Sequence, residues 1–174
     1  PVPMDERRAE VVECLKQNPN AVIIGETGSG KTTRIPDFLL ESFPEARIAV
    51  TQPRRVAARS VARYVAERRG GKVGEEVGYQ VRFEDTTTEG TRVNFMTDGI
   101  LLRKLQFDPL LEEYDVVMVD EAHERSLNID FVLGLLRRVQ AERQKRGMKE
   151  LKVIATSATI EKEKFANYFG NSPT

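Results

Sequence analysis

The chain has 174 residues, of which 40% are apolar and 31% charged; this suits one soluble globular domain and excludes a disordered chain. Its 27 basic residues balance 27 acidic ones, so the net charge of zero excludes binding to nucleic acid by bulk charge and leaves that task to local basic patches. The single cysteine, Cys14, excludes an intrachain disulfide, and no signal peptide or membrane-spanning apolar run is visible, so the expected location is cytoplasmic.

Val11, Val12 and Leu15 among charges predict an amphipathic helix over about residues 5–17, ended by Asn18-Pro19-Asn20. Cys14 reads as a small core residue on it. Ala21-Val22-Ile23-Ile24 predicts a buried strand, and a helix should follow to about Phe43, with Pro36 distorting it and Pro44 closing it. Between the two lies Gly25-Glu26-Thr27-Gly28-Ser29-Gly30-Lys31-Thr32, the G-x-x-x-x-G-K-[ST] spacing in its strand–loop–helix setting. Glycines let the backbone wrap a phosphate without Cβ clashes, and the amides of the loop and helix start bind negative charge. Lys31 can reach the β- and γ-phosphates, and the Thr32 hydroxyl can ligate Mg²⁺. The bland alternative is a Gly-rich turn capping an ordinary helix.

Ile48-Ala49-Val50 predicts a second strand, leading through Thr51-Gln52-Pro53-Arg54-Arg55 into a helix to about Arg69. On that helix Arg55, Arg59 and Arg63 repeat every four residues, while Ala58, Val61, Ala62 and Val65 lie on another side. A solvated face would explain the arginines equally well. Arg54 and Arg55 are more telling, because open α/β sheets bind ligands at the carboxyl ends of their strands.

After Gly70-Gly71, Val77–Phe83 alternates as a strand, Asp85–Gly90 reads as a Thr-rich turn, and Arg92–Met96 as another strand. Thr97-Asp98-Gly99 opens a helix through Leu105, with Thr97 or Asp98 as its cap. Val116–Val119 is a continuous apolar run, as expected of a strand buried on both faces. It ends at Asp120-Glu121-Ala122-His123. Asp120 can hold Mg²⁺ and Glu121 can orient or deprotonate a water; a dipole-favoured pair of acids at a helix start is the alternative. A long helix follows, with Phe131, Leu135 and Val139 spaced by four and a basic end (Arg137, Arg138, Arg143, Lys145, Arg146) read as mostly solvated charge. Val153-Ile154-Ala155 is the last clear strand, and a short helix is expected around Phe165 and Tyr168. A lone histidine such as His123 is more often structural than catalytic, and the hydroxyls of Ser157 and Thr159 suit a turn or a cap. Strands alternating with helices imply α/β architecture, a mainly parallel sheet covered on both faces.

Five segments occur in a telling order: Gly25–Thr33 (GETGSGKTT), Thr51–Ala58 (TQPRRVAA), Thr97–Arg103 (TDGILLR), Asp120–Ser126 (DEAHERS) and Ser157–Thr159 (SAT). Together they resemble motifs I, Ia, Ib, II and III of the DEAH-box (DEAH/RHA) superfamily 2 helicases, most closely the bacterial HrpA type, over about residues 5–170. The resemblance implies a RecA-like domain, residues 1–174, the first of two in an ATP-dependent RNA helicase with further C-terminal domains. It implies ATP or another NTP bound by Gly25 to Thr33, Mg²⁺ held by Thr32, Asp120 and Glu121, and hydrolysis served by Lys31, Asp120, Glu121 and His123. His123 would couple the nucleotide site to the nucleic-acid side, with Ser157 and Thr159 as a relay. Arg54, Arg55, Thr97, Asp98 and Gly99 would lie on a track for single-stranded RNA, or DNA, held mainly by its backbone.

Two residues depart from the family pattern: Arg34 stands where Gln is usual, and Tyr64 takes the place of a base-stacking Arg. Motifs IV to VI do not occur, so the second domain's arginine fingers would be missing, and residues 1–174 alone are expected to bind nucleotide but hydrolyse it barely. The rival readings are another P-loop ATPase that moves protein or DNA, which Thr51–Arg55 disfavours, and a non-catalytic nucleotide-dependent module, which the intact Lys31, Thr32, Asp120 and Glu121 disfavour.

Overall fold

The computed structural model describes residues 8–24, 31–122 and 129–157. The elements in chain order are α1 (Arg8–Gln17), β1 (Asn20–Ile24), α2 (Lys31–Ser42), β2 (Ile48–Gln52), α3 (Arg55–Arg68), β3 (Val77–Val81), β4 (Glu84–Asp85), β5 (Val93–Thr97), α4 (Asp98–Phe107), β6 (Val116–Val119), α5 (Ile129–Lys145) and β7 (Lys152–Ser157). The predicted helix around Phe165 and Tyr168 lies outside the described residues, as do the first residues of the predicted N-terminal helix. No described helix is long and apolar enough to cross a membrane.

The strands form one sheet in the order β1-β7-β6-β2-β5-β3-β4, parallel throughout except where β4 folds back on β3. This is the α/β, mainly parallel RecA-like arrangement that the resemblance implies. The period-two alternation of strand side chains splits the core into two layers. Ile48, Val50, Val93, Phe95, Val116, Met118 and Ile154 face the helices α1, α2 and α3, where they meet Leu15, Ile35, Phe38, Leu39, Ala58, Ala62 and Val65. Ala49, Met96, Val117, Val119, Val153 and Ala155 face α4 and α5, where they meet Leu101, Val132, Leu133, Leu136 and Val139.

Several local expectations change. β2 runs on through Thr51 and Gln52, and β7 through Thr156 and Ser157; all four are buried, so two polar strand ends read as loops belong to the sheet. β3 stops at Val81, because Phe83 adopts a left-handed backbone (φ 69°) and lies 89% exposed at the turn into β4. Thr97 is the N-cap of α4 and has extended backbone, but its side chain makes no capping bond. Pro36 sits inside α2 without ending it; the missing N–H forfeits the helical bond to the Thr32 carbonyl.

The buried stripe of α5 is Val132, Leu133, Leu136 and Val139, whereas Phe131 is 58% exposed. The spacing by four from Phe131 had picked the edge of the stripe, where a 3.6-residue period drifts off a strict four-residue step. Arg143, read as solvated, is buried. Its guanidinium donates to the carbonyls of Leu110, Leu111, Tyr114 and Lys149, pinning the loop between α4 and β6. Burial pushes its pKa below the usual arginine value.

The helix that begins at Lys31 is tied to α3 by charge. Asp37, 4% exposed, takes Arg34 at 2.9 Å from its own helix, and Arg69 at 3.2 Å and Arg68 at 3.5 Å from the end of α3. Arg69 also grips Glu76 at 2.5 Å, and that contact raises its pKa, with the Asp37 bond adding to it. The departure at Arg34 is thus part of an interhelical ion cluster. An exposed pair contributes about 0–1 kcal/mol, and breaking a buried one costs about 3–5 kcal/mol. The partly exposed arginines place Asp37→Asn between these limits, at about 2–4 kcal/mol. A thermal melt should show a drop of several degrees; an unchanged midpoint would return the cluster to surface decoration.

Candidate functional site

The parallel register decides which side chains meet. Thr51 stands level with Val119, and Val119 with Ala155. The next residue of each strand therefore falls in one row: Gln52, Asp120 and Thr156. Two residues earlier, Val50, Met118 and Ile154 all face the α2 layer, so by alternation the row faces α2 as well. Its middle member, Asp120, is 1% exposed, Gln52 2% and Thr156 0%.

A buried carboxylate needs donors, and the row together with α2 supplies them. The Thr32 hydroxyl, on the first turn of α2, donates to Asp120 Oδ2 at 2.7 Å. The Gln52 amide donates to the same oxygen at 2.5 Å, and the Thr156 hydroxyl to Asp120 Oδ1 at 2.5 Å. The backbone N–H of Asp120 donates to the Thr51 carbonyl at 3.1 Å, and that of Glu121 reaches Thr156 Oγ1 at 3.4 Å. Glu121 itself has a left-handed backbone, φ 55°, and is partly exposed.

Thr32 and Asp120, predicted to share a metal, are thus in direct contact across 88 positions of sequence. A hydroxyl and a carboxylate are hard oxygen donors, and so few protein ligands suit Mg²⁺, which keeps most of its waters. Among the described residues no group of three or more His, Cys, Asp or Glu forms a cage for a metal ion.

Lys31 opens α2, and Thr33 follows Thr32 in its first turn. Gly25, Glu26, Thr27, Gly28, Ser29 and Gly30, and likewise His123 and Thr159, lie outside the described residues. β1 ends at Ile24, immediately before Gly25, and Ile24 pairs with Ser157. Ser157 is a buried member of β7 rather than a turn or cap hydroxyl.

The predicted track residues gather at the carboxyl ends of two neighbouring strands. Gln52 pairs with Thr97, so β2 and β5 end side by side. Arg54 is the N-cap of α3 and Arg55 its first residue, both exposed; Thr97, Asp98 and Gly99 form the N-cap and first two residues of α4. Two helix amino termini therefore lie next to each other, with partial positive charge that suits phosphates. A Cβ at Gly99 would meet nothing within 4 Å, so internal packing does not demand a glycine there. Tyr64 stands apart from this row, 53% exposed on the third turn of α3. It shares a side of that helix with Arg68, the partner of Asp37, and so lies on the flank nearest α2.

Gln52 and Thr156 escaped the reading of single motifs. The only signal was a pair of polar residues closing each apolar strand, Thr51-Gln52 and Thr156-Ser157, in a sheet whose ends carry the site.

A family model described as DEAD/DEAH box helicase matches residues 6–167. The chain is 46% identical to the probable ATP-dependent RNA helicase DHR2 of Saccharomyces cerevisiae, over 99% of its own length and 23% of that protein's. It is 46% identical to ATP-dependent RNA helicase HrpA of Borreliella burgdorferi (99% of this chain, 20% of that protein) and 46% identical to ATP-dependent RNA helicase DHX33 of Homo sapiens (99% and 25%). The chain thus spans about a fifth to a quarter of the length of these relatives.

Thr156→Val keeps the shape of the side chain and removes the hydroxyl that serves Asp120 and Glu121. A hydrogen bond to a charged group contributes about 1.5–3 kcal/mol, and for this chain length each kcal/mol shifts the melting midpoint by about 2–4 °C. The midpoint should fall by roughly 3–12 °C, with Thr156→Ser much closer to wild type. Equal melting of the Val and Ser variants would remove the hydroxyl from the account.

Proposed function

We propose a function from one premise: the chain belongs to the DEAD/DEAH box helicase family. On our reading, residues 1–174 are the first RecA-like domain of an ATP-dependent RNA helicase. The parent protein couples hydrolysis of Mg²⁺–ATP, or another NTP, to movement along single-stranded RNA, and to unwinding. A second RecA-like domain and C-terminal domains complete it. The observation that carries this is the contact of Thr32 with Asp120 on a sheet row that continues into Arg54 and Arg55.

The residues divide the work. Gly25 to Gly30 wrap the phosphates, Lys31 neutralises them, and Thr33 completes the nucleotide-binding set. Thr32 and Asp120 hold the metal, with Glu121 beside them. Bound Mg²⁺ supplies charge neutralisation for the transferred phosphoryl group. Glu121 orients the attacking water and accepts its proton. His123 carries the state of the nucleotide towards the nucleic-acid side, together with Ser157 and Thr159. Tyr64 offers a ring for the base on the flank of α3. Arg54, Arg55, Thr97, Asp98 and Gly99 hold the RNA backbone at the paired helix amino termini, so sequence preference is weak.

Turnover tests the first half. Glu121→Gln in the full-length parent keeps the shape and loses the base, so ATP should still bind while kcat falls by about 10²–10⁴. Near-normal steady-state hydrolysis would take that role from Glu121.

Salt dependence tests the second half. Alanine at both Arg54 and Arg55 should weaken binding of the parent to several unrelated single-stranded oligonucleotides by a similar factor. It should reduce the slope of log affinity against log salt by roughly one for each lost phosphate contact. A wild-type slope would return both arginines to a solvated surface.

A further inference from the structure

We propose that Gln52 is a positioning residue that couples the nucleotide site to the RNA track, by gripping the Asp120 carboxylate with the same strand end that presents Arg54 and Arg55. This rests on the functional reading above and names the physical link within it. The argument begins with the shared oxygen. Asp120 Oδ2 accepts from Thr32 at 2.7 Å and from Gln52 at 2.5 Å, so the α2 donor and the β2 donor act on one atom. Any ligand that draws on that oxygen changes what remains for Gln52, and any shift of Gln52 changes what the oxygen offers.

The other end of the link is stiff. Gln52 is the last residue of β2, 2% exposed, and paired in register with Thr97 of the track. Pro53 follows, with φ fixed by its ring, and Arg54 then starts α3. The side chain that holds the carboxylate is therefore separated from two phosphate-seeking guanidinium groups by one conformationally restricted residue. A displacement of the arginines by RNA has little slack in which to dissipate before it reaches the amide. Thr156, on the other side of Asp120, belongs to β7, whose described residues end at Ser157 and lie across β6 from Arg54 and Arg55.

A purely structural Gln52 would satisfy a buried carboxylate and do no more. The two roles separate in a thermodynamic cycle. The dissociation constant of the full-length parent for a single-stranded RNA is measured with and without saturating Mg²⁺–ADP, and that for ADP with and without RNA. The ratio must be the same on both routes, because coupling is reciprocal. Wild-type coupling is expected in the ordinary range of about 5–150-fold. Gln52→Met keeps the volume and removes the donor; Gln52→Ala removes both.

In Gln52→Met the ratio should fall to within about twofold of one, while the salt slope of RNA binding without nucleotide stays at its wild-type value, because the arginines remain. Gln52→Ala should behave alike, with a lower melting midpoint. Wild-type coupling retained in Gln52→Met overturns the proposal. So does a loss of affinity for both ligands in equal proportion, which is the signature of a structural role. If the wild-type parent itself shows no coupling between RNA and nucleotide, the helicase reading fails first and the proposal falls with it; that outcome is distinct because it is seen before any variant is made.

Discussion

A single buried carboxylate organises the site. Asp120 is 1% exposed and collects donors from α2, β2 and β7 through Thr32, Gln52 and Thr156. Desolvating a carboxylate is costly unless its lone pairs are met, so these contacts are conditions for burying it rather than additions to a finished core. The three elements are distant in sequence but fixed in register, so the position of the carboxylate reports on all of them. A ligand that competes for its oxygens then acts on α2, on the strand that leads to Arg54, and on the strand that ends at Ser157.

What makes such a row possible is the two-layer core. Alternating residues of β2, β6 and β7 serve opposite helix layers, so a polar residue one step beyond the apolar run keeps its face without entering the core. Stability is concentrated in the apolar middle of each strand and chemistry at its carboxyl end. The Asp37 cluster holds α2 against α3 from the side, which sets the helix that carries Thr32 and the helix that begins at Arg55 in one frame.

The strand–helix alternation, the strand that ends just before Gly25 in sequence, and the candidacy of Thr32, Asp120, Arg54 and Arg55 were legible in the sequence, because each rests on local spacing. Gln52 and Thr156 were not, because their role depends on register between strands far apart in the chain, which no local pattern encodes. Arg143 was misread for a related reason. Its charge predicts solvent, and only the arrival of four carbonyls, three of them from the loop between α4 and β6, makes burial tolerable. The spacing by four through Phe131, Leu135 and Val139 meets the buried stripe only at Val139, because the stripe follows the 3.6-residue period through Val132, Leu133 and Leu136. Reading Asp85 as pure turn missed a two-residue strand, too short to carry any periodicity.

One consequence of strand geometry concerns the adjacent acids. In a continuing strand Asp120 and Glu121 would project to opposite faces, and two acids on opposite faces cannot serve one reaction centre. The chain does not continue as a strand: β6 ends at Val119, and Glu121 has φ 55°, a conformation that costs a non-glycine residue about 1–3 kcal/mol. The Thr156 hydroxyl, by meeting the Glu121 amide at 3.4 Å while donating to Asp120, offsets part of that strain. Such strain persists only where surrounding structure over-determines it. Here the buried Asp120 on one side and the buried Ala122 on the other hold the residue between them. The left-handed turn is thus how two consecutive carboxylates are released from strand alternation, which is the geometric condition for their sharing a site.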